Sequence, residues 1–360
     1  MLYNANGQAV TITGDAYDAN GRLLNQESSM VPLYNTNKDL YFFQGPLHKS
    51  GQYLCKADGE RASIRGIGTH ALLQYSNLHT IDCFRSLRNL GFNLIRISVY
   101  LEDYYFTQSN NQLAYGYISK PDETKAEIEK IVNYCEQLGL YVLIDWHVYS
   151  WGSASGRTGT GVFHQTEAEA FFRYYTSLYA NKPFVMWELA NEPHHQTLEE
   201  YTPYLQTIRA IIKSNISNPV MVTGTCSVAD TALWDEMVSE GMSDIFMSPH
   251  AYGADINSAR YKTLIEYGIP IFNTEWGNCD GHGGTSRFDD GSTELIQYYE
   301  KNHIPNSIWK YTDQTYVCSL LKNVGVINNT VYSTGFDESD LTVGGLLHAT
   351  WSKYYARGGT

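Results

Sequence analysis

Apolar and polar positions along the chain follow two alternating patterns. Short runs such as Tyr141–Ile144 are apolar on both faces, as parallel strands covered by helices must be. Between these runs lie longer stretches whose apolar residues recur at helical spacing. The predicted strands are Ser63–Thr69, Leu94–Tyr100, Tyr141–His147, Phe184–Ala190, Pro219–Gly224, Ile245–His250, Pro270–Thr274 and Ser307–Thr312. The predicted helices are 78–89, 123–139, 166–181, 198–214, 229–240, 257–267, 292–303 and 341–356.

Eight strand–helix repeats predict an α/β fold, a (β/α)8 TIM barrel, over residues 46–360. Residues 1–45 lack this rhythm. There Val10–Thr13 alternates like a strand, and Asp18–Gly21 is typical of a turn. We therefore expect a short N-terminal extension with a hairpin. A second hairpin, with Tyr53–Cys55 paired to Ala62–Ile64, is expected to close the N-terminal end of the barrel.

Composition narrows the class of ligand. Of the 360 residues, 43% are hydrophobic and 18% are charged, which indicates a globular chain with a large core. The net charge of −13 disfavours nucleic acid and anionic membranes as partners. No apolar run approaches the roughly 18 residues of a membrane-spanning helix. Aromatic residues make up 14%, and exposed rings suit a neutral ligand with flat faces.

The six cysteines show no metal-binding spacing. They are Cys55, Cys83, Cys135, Cys226, Cys279 and Cys318, with no CxxC pair. We interpret most of them as small core residues, although an even count permits up to three disulfides. Met1–Asn4 lacks the charged and apolar regions of a signal peptide. This start is that of an intracellular protein, or of a mature secreted form with an added Met.

Polar and aromatic residues close one predicted strand after another. In a barrel of this type the C-terminal strand ends share one mouth, where active sites lie. Glu192 and Glu275 follow the fourth and seventh strands, and would face each other there. A pair of carboxylates about 5–5.5 Å apart can cleave a glycoside by double displacement. Arg96 lies within the second strand and Trp309 within the eighth, and the other residues at the strand ends are His70, Tyr100, Asp145, Trp146, His147, Asn191, His250, Tyr252 and Trp276.

The segment Phe184–Pro193 (FVMWELANEP) resembles the signature of glycoside hydrolase family 5, a cellulase family of the 4/7 barrel superfamily. The resemblance extends over residues 46–356, and its first part, up to His70, is most similar to bacterial-type endoglucanases. The other matching segments, each at a predicted strand, are Ile95–Ile97, Ile144–His147, Pro249–Tyr252, Thr274–Gly277 and Ile308–Trp309.

The resemblance implies a role for each matching residue. Glu192 would be the acid/base and Glu275 the nucleophile. Arg96 would hold Glu275 ionised, and Tyr252 would donate a hydrogen bond to it. No cofactor or metal is implied. The remaining matches are assigned to substrate binding: Asn191 at the sugar 2-hydroxyl, Trp309 under the sugar on the non-reducing side, and His70, His147 and His250 near the cleavage site.

Alternation along the strands separates these residues from deeper polar ones. Glu188 lies one layer below Glu192, which indicates a buried partner for Arg96 or a histidine rather than a second acid. Asp145 lies below His147 in the same way and is interpreted as structural. His194 and His195 are interpreted as solvated loop residues.

The sugar-stacking positions depart from the family pattern. Gln74 and Cys226 stand where tryptophans are usual, and Gln314 follows Asp313 where a lysine is common. Tyr75, Trp151, Trp234 and Tyr316 are candidate replacements. The loop 149–163, which contains Trp151 and Arg157, is a candidate wall on the leaving-group side.

These observations favour a monomeric, secreted, retaining endo-β-1,4-glucanase whose partner is a polysaccharide. Secretion is expected because polysaccharides do not readily enter cells. An endo-β-1,4-mannanase or a xylanase on the same scaffold stays open, because the motif at Asn191 does not exclude mannose. An inactive carbohydrate-binding barrel is a further alternative. The glycine-rich segment Gly281–Gly284 resembles a phosphate-binding loop, but we interpret it as a flexible loop.

Overall fold

The computed structural model describes residues 44–101, 116–148, 164–193, 196–225, 229–280, 286–313, 317–322, 332 and 334–357. Two strands, β1 (Leu47–Ser50) and β2 (Tyr53–Lys56), form a separate hairpin near its start. The following eight parallel strands form one sheet. They are β3 (Arg65–Gly68), β4 (Leu94–Tyr100), β5 (Tyr141–His147), β6 (Val185–Glu188), β7 (Met221–Gly224), β8 (Ile245–Ser248), β9 (Asn273–Trp276) and β10 (Asn306–Trp309).

The sheet closes into a barrel. Each strand from β3 to β7 pairs with the next in sequence, and β10 pairs with both β9 and β3. The seam between β8 and β9 is joined by two isolated parallel bridges, Met247 to Ile271 and Ala251 to Trp276. The predicted (β/α)8 barrel is therefore confirmed.

A helix follows each barrel strand within the described residues. Threonine caps begin several of them: Thr80 accepts a hydrogen bond from the Cys83 amide, and Thr197 and Glu200 form a capping box. The helices are α1 (Ile81–Asn89), α2 (Pro121–Leu138), α3 (Gln165–Leu178), α4 (Leu198–Asn215), α5 (Asp230–Ser239), α6 (Ser258–Tyr267), α7 (Asp289–Asn302) and α8 (Val343–Ala356). None of the helices in these ranges is long and apolar enough to cross a membrane.

The core lies between the strands and this ring of helices. Every residue of β4 and β5 is buried, because one face lines the barrel and the other packs under helices. Large side chains such as Trp146 and Trp187 are fully buried there. The five cysteines in the described ranges are also buried and free, as core residues.

The hairpin at the N-terminal end of the barrel differs from the predicted one. Strand β2 (Tyr53–Lys56) forms its ladder with β1 (Leu47–Ser50), whereas the predicted partner Ala62–Ile64 contributes one bond to it, from the Ala62 amide to the Leu54 carbonyl at 2.8 Å. The turn at Asp58–Gly59 is present, but only a single bridge from Cys55 to Arg61 follows it. The Gln52 side chain donates to the carbonyls of Ile265 and Ile269, which places the hairpin under the barrel as expected.

The chain enters the barrel domain at Gln44 and Gly45. The Tyr141 hydroxyl, at the start of β5, accepts from the Gln44 amide at 2.9 Å and donates to the Gly45 carbonyl at 2.6 Å. The hairpin predicted in the N-terminal extension lies outside the described residues, so a separate extension up to residue 45 stays a prediction.

Candidate active site

The C-terminal strand ends bring the predicted residues to one mouth. The register pairs Tyr100 of β4 with His147 of β5, which sets these two side chains side by side. The segment after β6 is held by two backbone bonds, from the Asn191 amide to Trp146 and from the Glu192 amide to the Val148 carbonyl. Backbone hydrogen bonds therefore fix the positions of these residues, and the side-chain contacts add to this arrangement.

Arg96, fully buried on β4, is the centre of the site. Its Nη1 donates to Glu275 Oε2 at 2.6 Å, and its Nη2 donates to Asn191 Oδ1 at 2.6 Å. A two-point pair binds Glu188, at 2.7 Å from Nε and 3.0 Å from Nη2. Asp145 Oδ2 lies 2.9 Å from Nη2. The expected pairing of Glu188 with Arg96 is confirmed, and one guanidinium thereby orients residues from three other strands, β5, β6 with the segment after it, and β9.

The positive charge of Arg96 is outnumbered by the three carboxylates around it. Burial alone would lower the pKa of Arg96, but Asp145, Glu188 and Glu275 together raise it well above its ordinary value. Burial raises the pKa of Asp145 to about 7, against the attraction of Arg96, and also raises the pKa of Glu188. Part of the deep layer therefore holds protons near neutral pH.

Glu192 and Glu275 meet at the mouth. One carboxylate oxygen of each, together with a ring nitrogen of His250, lies within 4.8 Å of the others. The Tyr252 hydroxyl donates to Glu275 Oε1 at 2.7 Å, and His250 Nδ1 lies 2.6 Å from Glu192 Oε1. The side chain of Glu192 is 19% exposed and that of Glu275 only 6%. Glu192 is thus the carboxylate that faces solvent more openly.

The same three groups could offer ligands to a metal ion by distance alone. The direct contact between His250 and Glu192, and the bonds of Glu275 to Arg96 and Tyr252, already use these atoms among themselves. Such mutual hydrogen bonds suit proton transfer between carboxyl groups and imidazole.

Aromatic rings form the floor beside the carboxylates. His147 is parallel to Trp309 with ring centroids 5.7 Å apart, and Tyr100 lies 4.3 Å from His147. His70 contacts Tyr100, Trp309 and also Tyr75, at 5.2–5.4 Å. The predicted residues His70, His147 and Trp309 are therefore brought together in one cluster.

The two histidines of this floor are neutral. Burial lowers the pKa of His147 to about 3, with Arg96 adding to the effect. Burial also lowers the pKa of His70 well below its usual value. The ring of His147 is held by Asp145, whose Oδ2 lies 2.5 Å from Nδ1, so Asp145 has the supporting position expected of it. The Ala71 amide donates to His70 Nδ1, which leaves the proton of neutral His70 on Nε2.

Two buried residues of the site were missed in the sequence. Thr274 Oγ1 donates to Glu188 Oε1 at 2.5 Å, and the signal available was its place directly before Glu275. Lys310 is buried, and its ammonium lies 5.8 Å from the centroid of the Trp309 ring. A lone lysine after a strand carries no signal that it turns inward.

The structure tests only some of the candidate stacking residues. Tyr75 is buried against His70, whereas Trp234 lies on α5 and packs on the main core. Gln74 is half-buried. The other residues of this group, and the two loop histidines, lie outside the described ranges: Trp151, Arg157, His194, His195, Cys226, Gln314 and Tyr316.

Comparison with known proteins agrees with this arrangement. A family model described as cellulase (glycosyl hydrolase family 5) matches residues 55–315. An endoglucanase of Clostridium saccharobutylicum is 28% identical over 317 residues, which cover 85% of this chain and 64% of that protein. Endoglucanase A of Evansella cellulosilytica is 25% identical, over 71% of this chain and 50% of its own length. The chain thus spans half to just under two-thirds of these relatives.

Solved structures share the fold. The catalytic domain of an endoglucanase from Thermobifida fusca superposes with a TM-score of 0.71 at 20% identity, covering 88% of this chain and 98% of that domain. A variant of that domain has been solved in complex with cellotetraose. Because the family model covers most of the chain, the protein belongs to glycosyl hydrolase family 5, the cellulase family.

Proposed function

We propose that the protein is a retaining endo-β-1,4-glucanase that hydrolyses cellulose-type glucans with Glu275 as nucleophile and Glu192 as acid/base. The proposal rests on the meeting of these two carboxylates within 4.8 Å across the barrel mouth. Such a close approach of two carboxylate oxygens is compatible with the roughly 5–5.5 Å carboxyl separation of retaining glycosidases and leaves less room than the roughly 6.5–9.5 Å of inverting ones. The relatives that are named endoglucanases support the same activity.

Glu275 has the surroundings of a nucleophile. Arg96 donates to one of its oxygens and Tyr252 to the other, so the side chain is held in a fixed orientation at the mouth. In the first step this carboxylate attacks the anomeric carbon, and the bond to the leaving sugar breaks. The covalent glycosyl-enzyme keeps the sugar bound while the leaving sugar departs.

Glu192 has the surroundings of a proton donor and acceptor. Burial lowers the pKa of His250, but Glu275 and Glu192 outweigh it, so that the pKa is raised on balance. A proton is therefore available in the short contact between His250 and Glu192. Glu192 would pass a proton to the leaving oxygen, and then take one from the water that attacks the intermediate.

Asn191 is oriented to bind the sugar 2-hydroxyl. Arg96 fixes its amide oxygen, and among the residues that the structure describes its Nδ2 makes only a long contact of 3.5 Å, to the Val148 carbonyl. The amide N–H can therefore be offered to a ligand at the mouth. A hydrogen bond there strengthens as positive charge develops on the sugar ring.

Trp309 provides the platform for the sugar on the non-reducing side. It is 9% exposed, at the mouth beside His70 and His147. The C–H faces of a pyranose pack on an indole, while neutral histidines hydrogen-bond its hydroxyls without adding charge. We propose on this basis a neutral polysaccharide as the partner, a monomeric enzyme, and action outside the cell where such polymers are found.

A panel of polysaccharides tests the proposal. Release of reducing ends would be measured on carboxymethyl cellulose, barley β-glucan, xyloglucan, xylan, glucomannan and galactomannan. We expect fast cleavage of the unbranched β-1,4-linked glucans. NMR should show that the new reducing ends retain the anomeric configuration of the substrate. Inverted products would contradict the retaining mechanism, whatever the substrate.

The changed stacking positions are the reason to test two alternatives within the class, an endo-β-1,4-mannanase and a xylanase. Gln74 offers an amide where the family offers an indole, so a sugar face would gain a hydrogen bond and lose a platform. A preference for mannan or xylan over glucan in the panel would establish an endo-β-1,4-mannanase or a xylanase. Binding without cleavage of any polymer would establish the inactive barrel.

A further inference from the structure

Two cysteines lie on neighbouring segments of the barrel mouth. Cys279 follows β9, four residues after Glu275, and Cys318 belongs to the segment after β10. Cys279 is fully buried and Cys318 is 6% exposed. They belong to a small apolar cluster, distinct from the main core, whose other buried members are Ala71, Tyr100 and Trp309.

The backbone holds both cysteines in place without help from their side chains. The Lys310 amide donates to the Cys318 carbonyl at 2.9 Å, and the Gly253 amide donates to the Cys279 carbonyl at 2.8 Å. Both cysteines pack in the same small cluster, within hydrogen-bonding reach of each other, and neither takes part in a disulfide. The backbone segments that carry them are already fixed.

The two thiols are chemically unequal. The hydrogen bond from Cys279 lowers the pKa of Cys318, and the nearby Lys310 ammonium adds to this effect against the cost of burial. The same hydrogen bond, together with burial, raises the pKa of Cys279. Cys318, the slightly exposed member, is thus the better nucleophile of the pair.

We propose that Cys279 and Cys318 are an oxidisable thiol pair that closes to a disulfide across the barrel mouth, beside Trp309. With a small-molecule disulfide as oxidant, the Cys318 thiolate attacks one sulfur of the oxidant and releases one thiol. Deprotonated Cys279 then attacks the Cys318 sulfur of the mixed disulfide and releases the second thiol. The protein loses two electrons and two protons, and the oxidant is reduced to two thiols.

The crosslink joins the segment that follows β9, the strand that carries Glu275, to the segment that follows β10, the strand that ends at Trp309. It encloses a long stretch of chain, so it restricts the unfolded state substantially. Because the backbone around both cysteines is already held, oxidation needs mainly side-chain rotation. We expect the melting temperature to rise by about 5 °C, with kcat on soluble glucan unchanged.

The test uses the full chain and glutathione disulfide at mildly alkaline pH. Intact mass should fall by two hydrogens, and peptide mapping without reductant should show Cys279 joined to Cys318. Cys279→Ser should retain glutathione on Cys318, because the resolving thiol is gone. Cys318→Ser should lose the reaction. The variants Cys226→Ser and Cys135→Ser are matched controls that should still form the crosslink.

Three results would overturn the proposal. They are a crosslink that uses Cys226 or another cysteine, a glutathione adduct that persists on the wild-type pair, and unchanged mass after long incubation of the folded protein. The peptide map of the wild-type chain decides the matter even where a serine variant fails to fold.

Discussion

Arg96 shows how one residue can organise a catalytic layer. Its guanidinium binds Glu275, Glu188 and Asn191 at once, and Asp145 lies against it. A planar donor with five N–H groups can do this, whereas a lysine could not serve four partners in fixed directions. The orientation of the nucleophile and of the sugar-binding amide therefore depends on the same side chain.

The two glutamates should fail in different ways when replaced. Glu275→Ala should reduce turnover by at least about 10⁴-fold on every substrate, because no covalent intermediate can form. Glu192→Ala should keep a fast first step on aryl glycosides whose leaving group needs no proton. Release of the phenol, followed by stopped flow, should show a burst and then slow turnover in Glu192→Ala alone.

Polysaccharide is the control substrate for this pair, since its leaving group needs protonation and both variants should be inactive on it. Circular dichroism should show both variants folded. If the two behave alike on the activated glycoside, the roles assigned to Glu192 and Glu275 are wrong.

The site residues themselves were largely predictable from the sequence. Most of them lie at the end of an apolar run, where a barrel exposes side chains at its mouth, so position along the chain indicated position in space, whereas Arg96 lies within β4. Thr274 and Lys310 were not predictable in this way. Their inward contacts depend on neighbours that come from other strands, and no local pattern reports such contacts.

Among the elements, the strands buried on both faces were predicted best. Strands β4 and β5 begin and end where the apolar pattern does, because every residue in them is buried. Strand β9 was predicted at Pro270–Thr274 but lies at Asn273–Trp276. The apolar residues before it meet β8 at a single bridge, from Met247 to Ile271. The regular ladder uses polar residues, whose hydrogen bonds inside the barrel the apolar pattern cannot show.

Strand β7 supports the catalytic segment through a glycine. A Cβ at Gly224 would lie 1.7 Å from the Asn191 carbonyl oxygen, so any side chain must displace the backbone before Glu192. We expect Gly224→Ala to cost about 3 kcal/mol or more of the free energy of unfolding. A shift of Glu192 by about 1 Å should also lower kcat by about 100-fold. Urea unfolding and steady-state kinetics measure the two effects.

Gly241→Ala is the control for this substitution. A Cβ at Gly241 meets open space, but the residue has a φ of +70°, so alanine there costs about 1 kcal/mol through backbone strain alone. Its kcat should be that of the wild type. Unchanged kcat in Gly224→Ala would show that β7 does not position the catalytic segment.

Helix α8 carries a buried histidine that should make stability depend on pH. His348 packs edge-on against Trp276 at 5.0 Å, and neither ring nitrogen has a hydrogen-bond partner within the described residues. Burial lowers its pKa to about 4. Between about pH 6.5 and 4 the unfolded chain binds the proton and the folded chain does not. The free energy of unfolding therefore falls as pH falls through this window, by roughly 3 kcal/mol from this residue.

Replacement of this histidine tests the argument. His348→Leu should flatten the fall of the unfolding free energy between pH 6.5 and 4, measured by urea titration at several pH values. His48→Leu, on strand β1 at the other end of the barrel, is the matched variant and should leave the fall in place. An unchanged slope in His348→Leu would mean that other groups set the acid sensitivity.

In the whole molecule, the groups assigned to catalysis lie at one end of the barrel and the groups that close the barrel lie at the other. The C-terminal ends of the strands carry the carboxylates, the arginine and the rings, and the N-terminal end carries the β1–β2 hairpin and the entry of the chain at Gln44. Barrels of this type commonly separate catalysis from stability in this way. One tyrosine hydroxyl lies at each end, so the same substitution, tyrosine to phenylalanine, can compare the effect of each end on catalysis and on stability.

Tyr252→Phe and Tyr141→Phe should have opposite effects. Loss of the Tyr252 hydroxyl removes a hydrogen bond that orients Glu275, so kcat/KM should fall by about 10- to 100-fold while unfolding changes little. Loss of the Tyr141 hydroxyl leaves the Gln44 amide and the Gly45 carbonyl without this partner, so the free energy of unfolding should fall by about 1–2 kcal/mol with kinetics unchanged. Chemical unfolding and initial rates, measured on the same preparations, give both quantities. A loss of activity in Tyr141→Phe without loss of stability would show that the two ends are coupled through β5, which runs from Tyr141 to His147.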